Sequence, residues 1–234
     1  MSTYFTESTY ESAVIELFTR MGYTHVYAPD LNRADCTSPL LDSVLLDSLV
    51  RLNRGLPPEA IHEAISKLKN FDGGSLVEKN RTFTGYLQNG VEVKYFAKGE
   101  ERSALVRLLD YRCPDNNAFY VVNQYTYVEN GSTRRPDVIL FLNGLPLVVM
   151  ELKSPSQENA GIENAYRQLR NYMQDIPSLF LYNAICVISD LTANRAGTIT
   201  SGLDRFMEWK TRDGRYENTA FAQFDTFYQG MFQR

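Results

Sequence analysis

Apolar residues recur along this chain with two different periods. Over residues 8–21 (STYESAVIELFTRM), Val14, Ile15, Leu17, Phe18 and Met21 keep helical spacing, and Gly22 follows as a stop signal. Residues 39–53 (SPLLDSVLLDSLVRL) and 58–69 (PEAIHEAISKLK) read as two amphipathic helices, punctuated by Gly55-Leu56-Pro57-Pro58 and by Gly73-Gly74. They predict a helical insert around 39–80. Strand-like runs lie at THVYA (24–28), VEVKYF (91–96), SALVRLLDY (103–111) and FYVVNQYTYV (119–128). The strongest hairpin signal is VILFL (138–142) and LPLVVM (145–150) on either side of Asn143-Gly144. A helix is expected over about 159–174, a fully buried strand over LFLYNAICVIS (179–189), and a helix and docked tail in LDRFMEWK (203–210) and FAQFDTFYQGMFQR (221–234). This order predicts an α/β (α+β) fold with one central mixed β-sheet flanked by helices.

Composition narrows the classes. With 234 residues, 44% of them hydrophobic, the chain can bury the core of one domain. The longest apolar runs are too short to span a bilayer, and the N-terminus lacks the basic and apolar regions of a signal peptide. Cys36, Cys113 and Cys186 are odd in number and widely spaced, which fits a reducing compartment better than a disulfide frame or a zinc site. We therefore expect a soluble, cytoplasmic protein with no membrane partner, monomeric in isolation. The net charge of −4 is not that of a stand-alone nucleic-acid binder; any such contact would use a local patch, with other subunits supplying much of the grip. His25 and His62 are the only histidines, and neither lies near a plausible nucleophile, which disfavours a Ser/His or Cys/His hydrolase. The glycines form neither G-x-G-x-x-G after a strand nor a Walker-type phosphate loop.

The hairpin carries charge where its strands should be oily: Asp137 opens it, and Glu151 and Lys153 close it. Side chains two apart on a strand share a face, so Glu151 and Lys153 point the same way. A tight two-residue turn carried through unbroken would pair Asp137 with Met150 and put the two acids on opposite faces. A three-residue loop Asn143-Gly144-Leu145, or one bulge, would pair Asp137 with Glu151. The second register is expected, because Pro146 cannot donate to the ladder. Two carboxylates at a strand end suit Mg²⁺, which takes one or two acids and fills its other positions with water or phosphate oxygens. A lysine beside them can hold an attacking water and offset charge on a phosphate. That combination suits metal-dependent phosphodiester hydrolysis. The plain alternative is a surface ion pair behind a turn-opening aspartate; VILFL and LPLVVM are too apolar for it, since charge at the end of a buried hairpin needs a reason.

Pro136, Asp137, Glu151, Leu152 and Lys153 match the motif of the PD-(D/E)xK nuclease superfamily. The longer string NNAFYVVNQYTYVENGSTRRPDVILFLNGLPLVVMELKSPSQ closely resembles the N-terminal endonuclease domain of type I restriction enzyme R subunits (HsdR), most clearly over residues 102–190. The resemblance implies cleavage of double-stranded DNA, with Mg²⁺ at Asp137 and Glu151 and with Lys153 as the catalytic lysine. It also implies a Gln-x-x-x-Tyr pair on the following helix, here Gln168 and Tyr172, which share a helix face. These are auxiliary or DNA-contact candidates, against the ordinary reading of a core tyrosine and a solvated glutamine. Superfamily members often add an acid from the first helix. Glu11 is that candidate, read equally as the N3 residue of a capping box opened by Ser8; Glu7 and Glu16 are weaker ones. Arg134, Arg135, Arg167 and Arg170 would form the local positive patch, against the plain reading of solvated arginines. The resemblance further implies methylation and specificity subunits as partners, and ATP and AdoMet as cofactors of that assembly and not of this chain. With no motor motif in it, the sequence reads as an N-terminal piece of such a subunit. Two alternatives stay open: a non-catalytic DNA- or subunit-binding module keeping the nuclease fold, and a solitary restriction or repair nuclease.

Overall fold

The computed structural model describes residues 6–31, 33, 36–153, 161–190, 192–215 and 224–233. Its helices are α1 (Glu7–Arg20), α2 (Asp42–Leu52), α3 (Pro58–Lys69), α4 (Leu76–Asn89), α5 (Gly161–Asp175), α6 (Pro177–Leu181) and α7 (Phe224–Phe232). Its strands are β1 (Thr24–Tyr27), β2 (Val91–Ala97), β3 (Glu100–Val106), β4 (Phe119–Asn123), β5 (Tyr127–Glu129), β6 (Ser132–Arg134), β7 (Val138–Leu142), β8 (Leu145–Leu152), β9 (Ile185–Ser189) and β10 (Asn194–Gly197). Six strands form one mixed sheet in the order β1-β4-β7-β8-β9-β10; β2-β3 and β5-β6 are separate two-stranded ribbons. β8 and β9 run parallel, joined through α5 and α6, and β1 lies parallel to β4.

Both faces of the sheet are covered. α1 and α7 pack on one face with buried residues of α2, α3 and α4, around Val14, Phe18, Leu45, Leu68, Phe83 and Phe227. On the other face α5 and α6 contribute Leu169, Tyr172, Leu179 and Phe180, which meet Ile139, Phe141, Val149 and Ile188. This double cover explains why all eight residues of β8 are buried. Such a strand loses the alternating pattern of a half-exposed one and reads as continuously apolar.

The hairpin turns at Asn143-Gly144, whose φ values of 51° and 84° are those of a two-residue type I′ turn. Leu142 pairs with Leu145 and Phe141 with Pro146, and the ladder then shifts so that Leu140 pairs with Val148 and Val138 with Met150. The bulge, not a three-residue loop, produces the slip; one step further out it sets Asp137 opposite Glu151. The turn is fixed from outside. Asn143 Nδ2 donates to Leu108 O at 2.9 Å and to Asn117 Oδ1 at 2.8 Å, and Asn143 Oδ1 accepts from the Ala118 amide at 2.7 Å. A Cβ on Gly144 would lie 2.7 Å from both Leu41 O and Leu45 N at the start of α2. Gly144→Ala therefore meets a backbone clash as well as a positive φ. It is expected to destabilise the protein by roughly 2–4 kcal/mol, read as a lower urea midpoint at unchanged slope.

Several expected elements come out differently. The run 119–128 is broken at Gln124, which has a φ of 57°, so β4 ends at Asn123 and β5 starts a separate ribbon. The run 103–111 is a strand only to Val106. Residues 179–189 are not one strand: Pro177 opens the short α6, and β9 begins at Ile185. LDRFMEWK forms a single 3-10 turn, followed by a one-residue bridge from Met207 to Ala196. α4 continues the helical stretch to Asn89, nine residues past its expected end, behind a capping box of Ser75 and Glu78. At the first helix the cap is Thr6, whose hydroxyl accepts from the Thr9 amide, so Ser8 and Glu11 form no capping box. The expected helix start at 159–160 and tail residues 221–223 and 234 lie outside the described residues.

Candidate active site

Asp137 precedes β7, and Glu151 and Lys153 lie at and just beyond the paired end of β8. Ile139 and Val149 belong to the cluster beneath α5, so by strand alternation Asp137, Glu151 and Lys153 all point to that same face. The Leu152 amide donates to Asp137 Oδ2 at 2.8 Å, which fixes one acid against the strand carrying the other. Glu151 is fully buried; its Oε1 accepts from Lys153 Nζ, while its Oε2 has no hydrogen-bond partner. An orphaned carboxylate oxygen in a fully buried position is unfavourable unless something else binds it.

The electrostatics follow from that crowding. Burial pushes the Asp137 carboxyl up to about 6, with Glu7 and Glu11 adding to the shift and the Leu152 amide and Lys153 opposing it. Burial, followed by the Asp137 charge, pushes Glu151 well above the ordinary carboxylate range. Burial alone would depress Lys153, but Glu151, Asp137 and Glu7 outweigh it and hold the ammonium above its usual value. Lys153 thus presents a positive charge and not a free base.

The first helix reaches the same place. Glu7 Oε1 lies 3.9 Å from Lys153 Nζ. Glu11 is held by two amides: Asn123 Nδ2 donates to its Oε1 at 2.7 Å, and Gln124 Nε2 to its Oε2 at 3.0 Å. His25 Nε2 lies 3.0 Å from Asn123 Oδ1 and completes the chain, while the Gln124 amide donates to Asp137 O at 3.3 Å. Gln124, in the left-handed backbone region, thus holds the Glu11 carboxylate with its side chain and the Asp137 main-chain carbonyl with its own N–H. α1 is docked by Tyr10, whose hydroxyl meets Ser189 Oγ and Asn194 Oδ1; Ser189 O in turn accepts from the Lys153 amide at 2.8 Å. Glu16, further along α1, is exposed and sits 3.9 Å from Arg20, away from these groups.

α5 supplies the outer wall. Gln168 Nε2 donates to Tyr172 Oη at 2.5 Å, and both residues line an open groove of about 730 Å³ together with Lys153 and Arg134. Tyr172 is also part of the core, 5% exposed, as its ordinary reading expects. The arginines divide. Arg134 pairs with Asp175 at 2.7 Å, Arg135 is exposed, and Arg170 donates to Ile199 O at 2.8 Å and does not line the groove; Arg167 does.

Two carboxylates on one face, one with an unsatisfied buried oxygen, beside an ammonium and an open groove, form a donor set that fits a divalent cation. Among the described residues, no group of three or more acid, histidine or cysteine side chains is placed to hold a metal ion, so most of such an ion's positions would be left to water or substrate.

Residues 4–205 match the sequence profile described as Type I restriction enzyme R protein N terminus (HSDR_N). The chain belongs to this family. It is 34% identical over 96% of its length to a type I restriction enzyme HindI endonuclease subunit of Haemophilus influenzae. It is 27% identical, again over 96% of its length, to a putative type I restriction enzyme MjaIXP endonuclease subunit of Methanocaldococcus jannaschii. The chain spans 22% and 24% of those two relatives. The mixed sheet with helices on both faces is compatible with a restriction-endonuclease-like fold. Among the described residues, no helix is long and apolar enough to cross a membrane. Within this family string the elements divide into two groups. Asn117 and Asn143-Gly144 hold the turn, whereas Asn123 and Gln124 hold Glu11. Sequence reasoning missed the amide clamp on Glu11, because its partners lie more than a hundred residues from it along the chain.

Proposed function

We propose that this chain is the Mg²⁺-dependent DNA endonuclease unit of a type I restriction enzyme R subunit. The observation that carries the reading is the Asp137, Glu151 and Lys153 constellation on one sheet face, with Glu151 Oε2 buried and unpartnered. Asp137 and Glu151 would hold the cation, with Glu11 a further acid at the edge of the site. When bound, the cation supplies Lewis-acid polarisation of the scissile phosphate and a more acidic water. Lys153 donates its charge to a phosphate oxygen or orients the attacking water. Gln168 and Tyr172 fix the groove wall against which the DNA backbone lies. ATP and AdoMet serve the longer enzyme, whose methylation and specificity subunits present DNA to this unit in the cytoplasm.

The test is calorimetric titration of Mg²⁺ or Mn²⁺ into the wild-type chain and into Asp137→Ala, alone and with a short duplex present. Binding in the wild type that disappears in the variant is the expected result. No cation binding to the wild type, with or without DNA, overturns the reading.

A further inference from the structure

The groove beside Lys153 continues along α5 past the motif residues. Asn164, Arg167, Gln168 and Asn171 fall at i, i+3, i+4 and i+7 and line it, while Ala165, Leu169 and Met173 on the same helix are buried. Among the described residues, the groove's lining holds three cations, Arg134, Lys153 and Arg167, and no acid, in a chain whose net charge is −4. Four other surface clefts each carry at least one aspartate or glutamate. The acid that would extend the polar stripe by one turn, Asp175, is paired with Arg134. Arg167 is exposed, and its Nη2 donates to Asn164 Oδ1, which orients the guanidinium within the stripe.

We propose that this α5 stripe is a phosphate-binding track that holds one strand of duplex DNA, with Arg167 as its charged contact and Asn164 and Asn171 as neutral hydrogen-bond donors. The identity of the ligand rests on the nuclease reading. The stripe from 164 to 171 is about 10 Å long, roughly three nucleotides of one strand at ~3.4 Å each. A planar guanidinium suits bidentate phosphate contact, and side-chain amides bond phosphate oxygens without reading bases. The track therefore grips DNA independently of sequence and delivers the strand to Lys153.

The test is fluorescence anisotropy of two short labelled duplexes of unrelated sequence, over a salt series in EDTA, with the 234-residue chain. Arg167→Ala is expected to weaken binding to both duplexes about tenfold and to lower the slope of log K against log salt by about 0.9. Arg167→Lys should restore the slope, and Asn171→Ala should weaken binding with the slope unchanged. Arg102→Ala, on the β2-β3 ribbon, should alter neither. A wild-type slope in Arg167→Ala, or no duplex binding by the wild type even at low salt, overturns the proposal. The cation titration separates the two readings. Cation binding at Asp137 without an Arg167 slope keeps the nuclease and loses the track; an Arg167 slope without cation binding does the reverse.

Discussion

On the proposed function, Lys153→Ala in the longer R subunit, assembled with the partner subunits of that reading, is expected to reduce DNA cleavage about 10³-fold while ATP turnover continues. Lys153 Nζ bonds the buried Glu151 and lies 3.9 Å from Glu7, so it sets a positive charge directly beside the acids. Truncation removes that charge and leaves two buried carboxylates without it. Asp137→Ala should match the loss by a different route, since it takes away one of two acid donors and the acceptor of the Leu152 amide. A gel assay for double-strand cuts, run beside a phosphate-release assay, separates loss of chemistry from loss of assembly. Cleavage near the wild-type rate in either variant sinks the assignment of this hairpin as the catalytic centre. Lys153→Arg should not rescue it. The lysine side chain is only 17% exposed, and a guanidinium is larger and directs its donors differently.

How far the sequence reaches depends on whether a feature is local. The Asn143-Gly144 turn and its two apolar strands are local, and they were legible. The register was legible only as a choice, because a two-residue turn and a later bulge together mimic a longer loop; the shift falls beside Pro146, where the ladder lacks a donor. β10 was not legible: Asn-Arg-Ala-Gly has no strand pattern, and it forms by pairing with β9. LDRFMEWK shows helical spacing, but pairing of Met207 with Ala196 and the packing of Trp209 against α7 at Gly230 override it. The acids and lysine were found because a charge in an oily hairpin is conspicuous in one dimension. The Glu11 clamp was not, since asparagine and glutamine at a strand end look like an ordinary turn. Arg167 and Arg170 are equivalent patch candidates in the sequence; the face of α5 decides between them, and it places Arg167 in the groove.

Asp137→Asn is expected to make the metal-free chain more stable than the wild type at neutral and alkaline pH, by about 3 kcal/mol. Asp137 ionises at about 6 in the folded protein, against an ordinary value of 3.8. Below pH 4 the carboxyl holds its proton in both the folded and unfolded chains, and the aspartate contributes no penalty. As pH rises from 4 to 6 the unfolded chain ionises freely while the buried site resists, so wild-type stability falls and then levels off above the folded value. Asparagine keeps an acceptor for the Leu152 amide and carries no charge, so the variant lacks this loss. Glu151→Gln should act in the same direction, because burial and the neighbouring Asp137 push its carboxyl well above the ordinary range. Urea unfolding in EDTA at pH 4, 6 and 8 reads the effect directly. Added Mg²⁺ should reverse the ranking at pH 8, since a ligand that binds only the folded state stabilises it by mass action, and the variants lack a donor for it. A wild-type stability that stays flat between pH 4 and 8, or variants less stable than the wild type at pH 8 in EDTA, would mean that the two acids are already compensated within the protein. A shared cation would then not be needed to balance them. If the expected pattern holds, the hairpin is destabilised at physiological pH by the same two carboxylates that would make it a nuclease, which is the stability–function conflict expected of a preformed but uncompensated site.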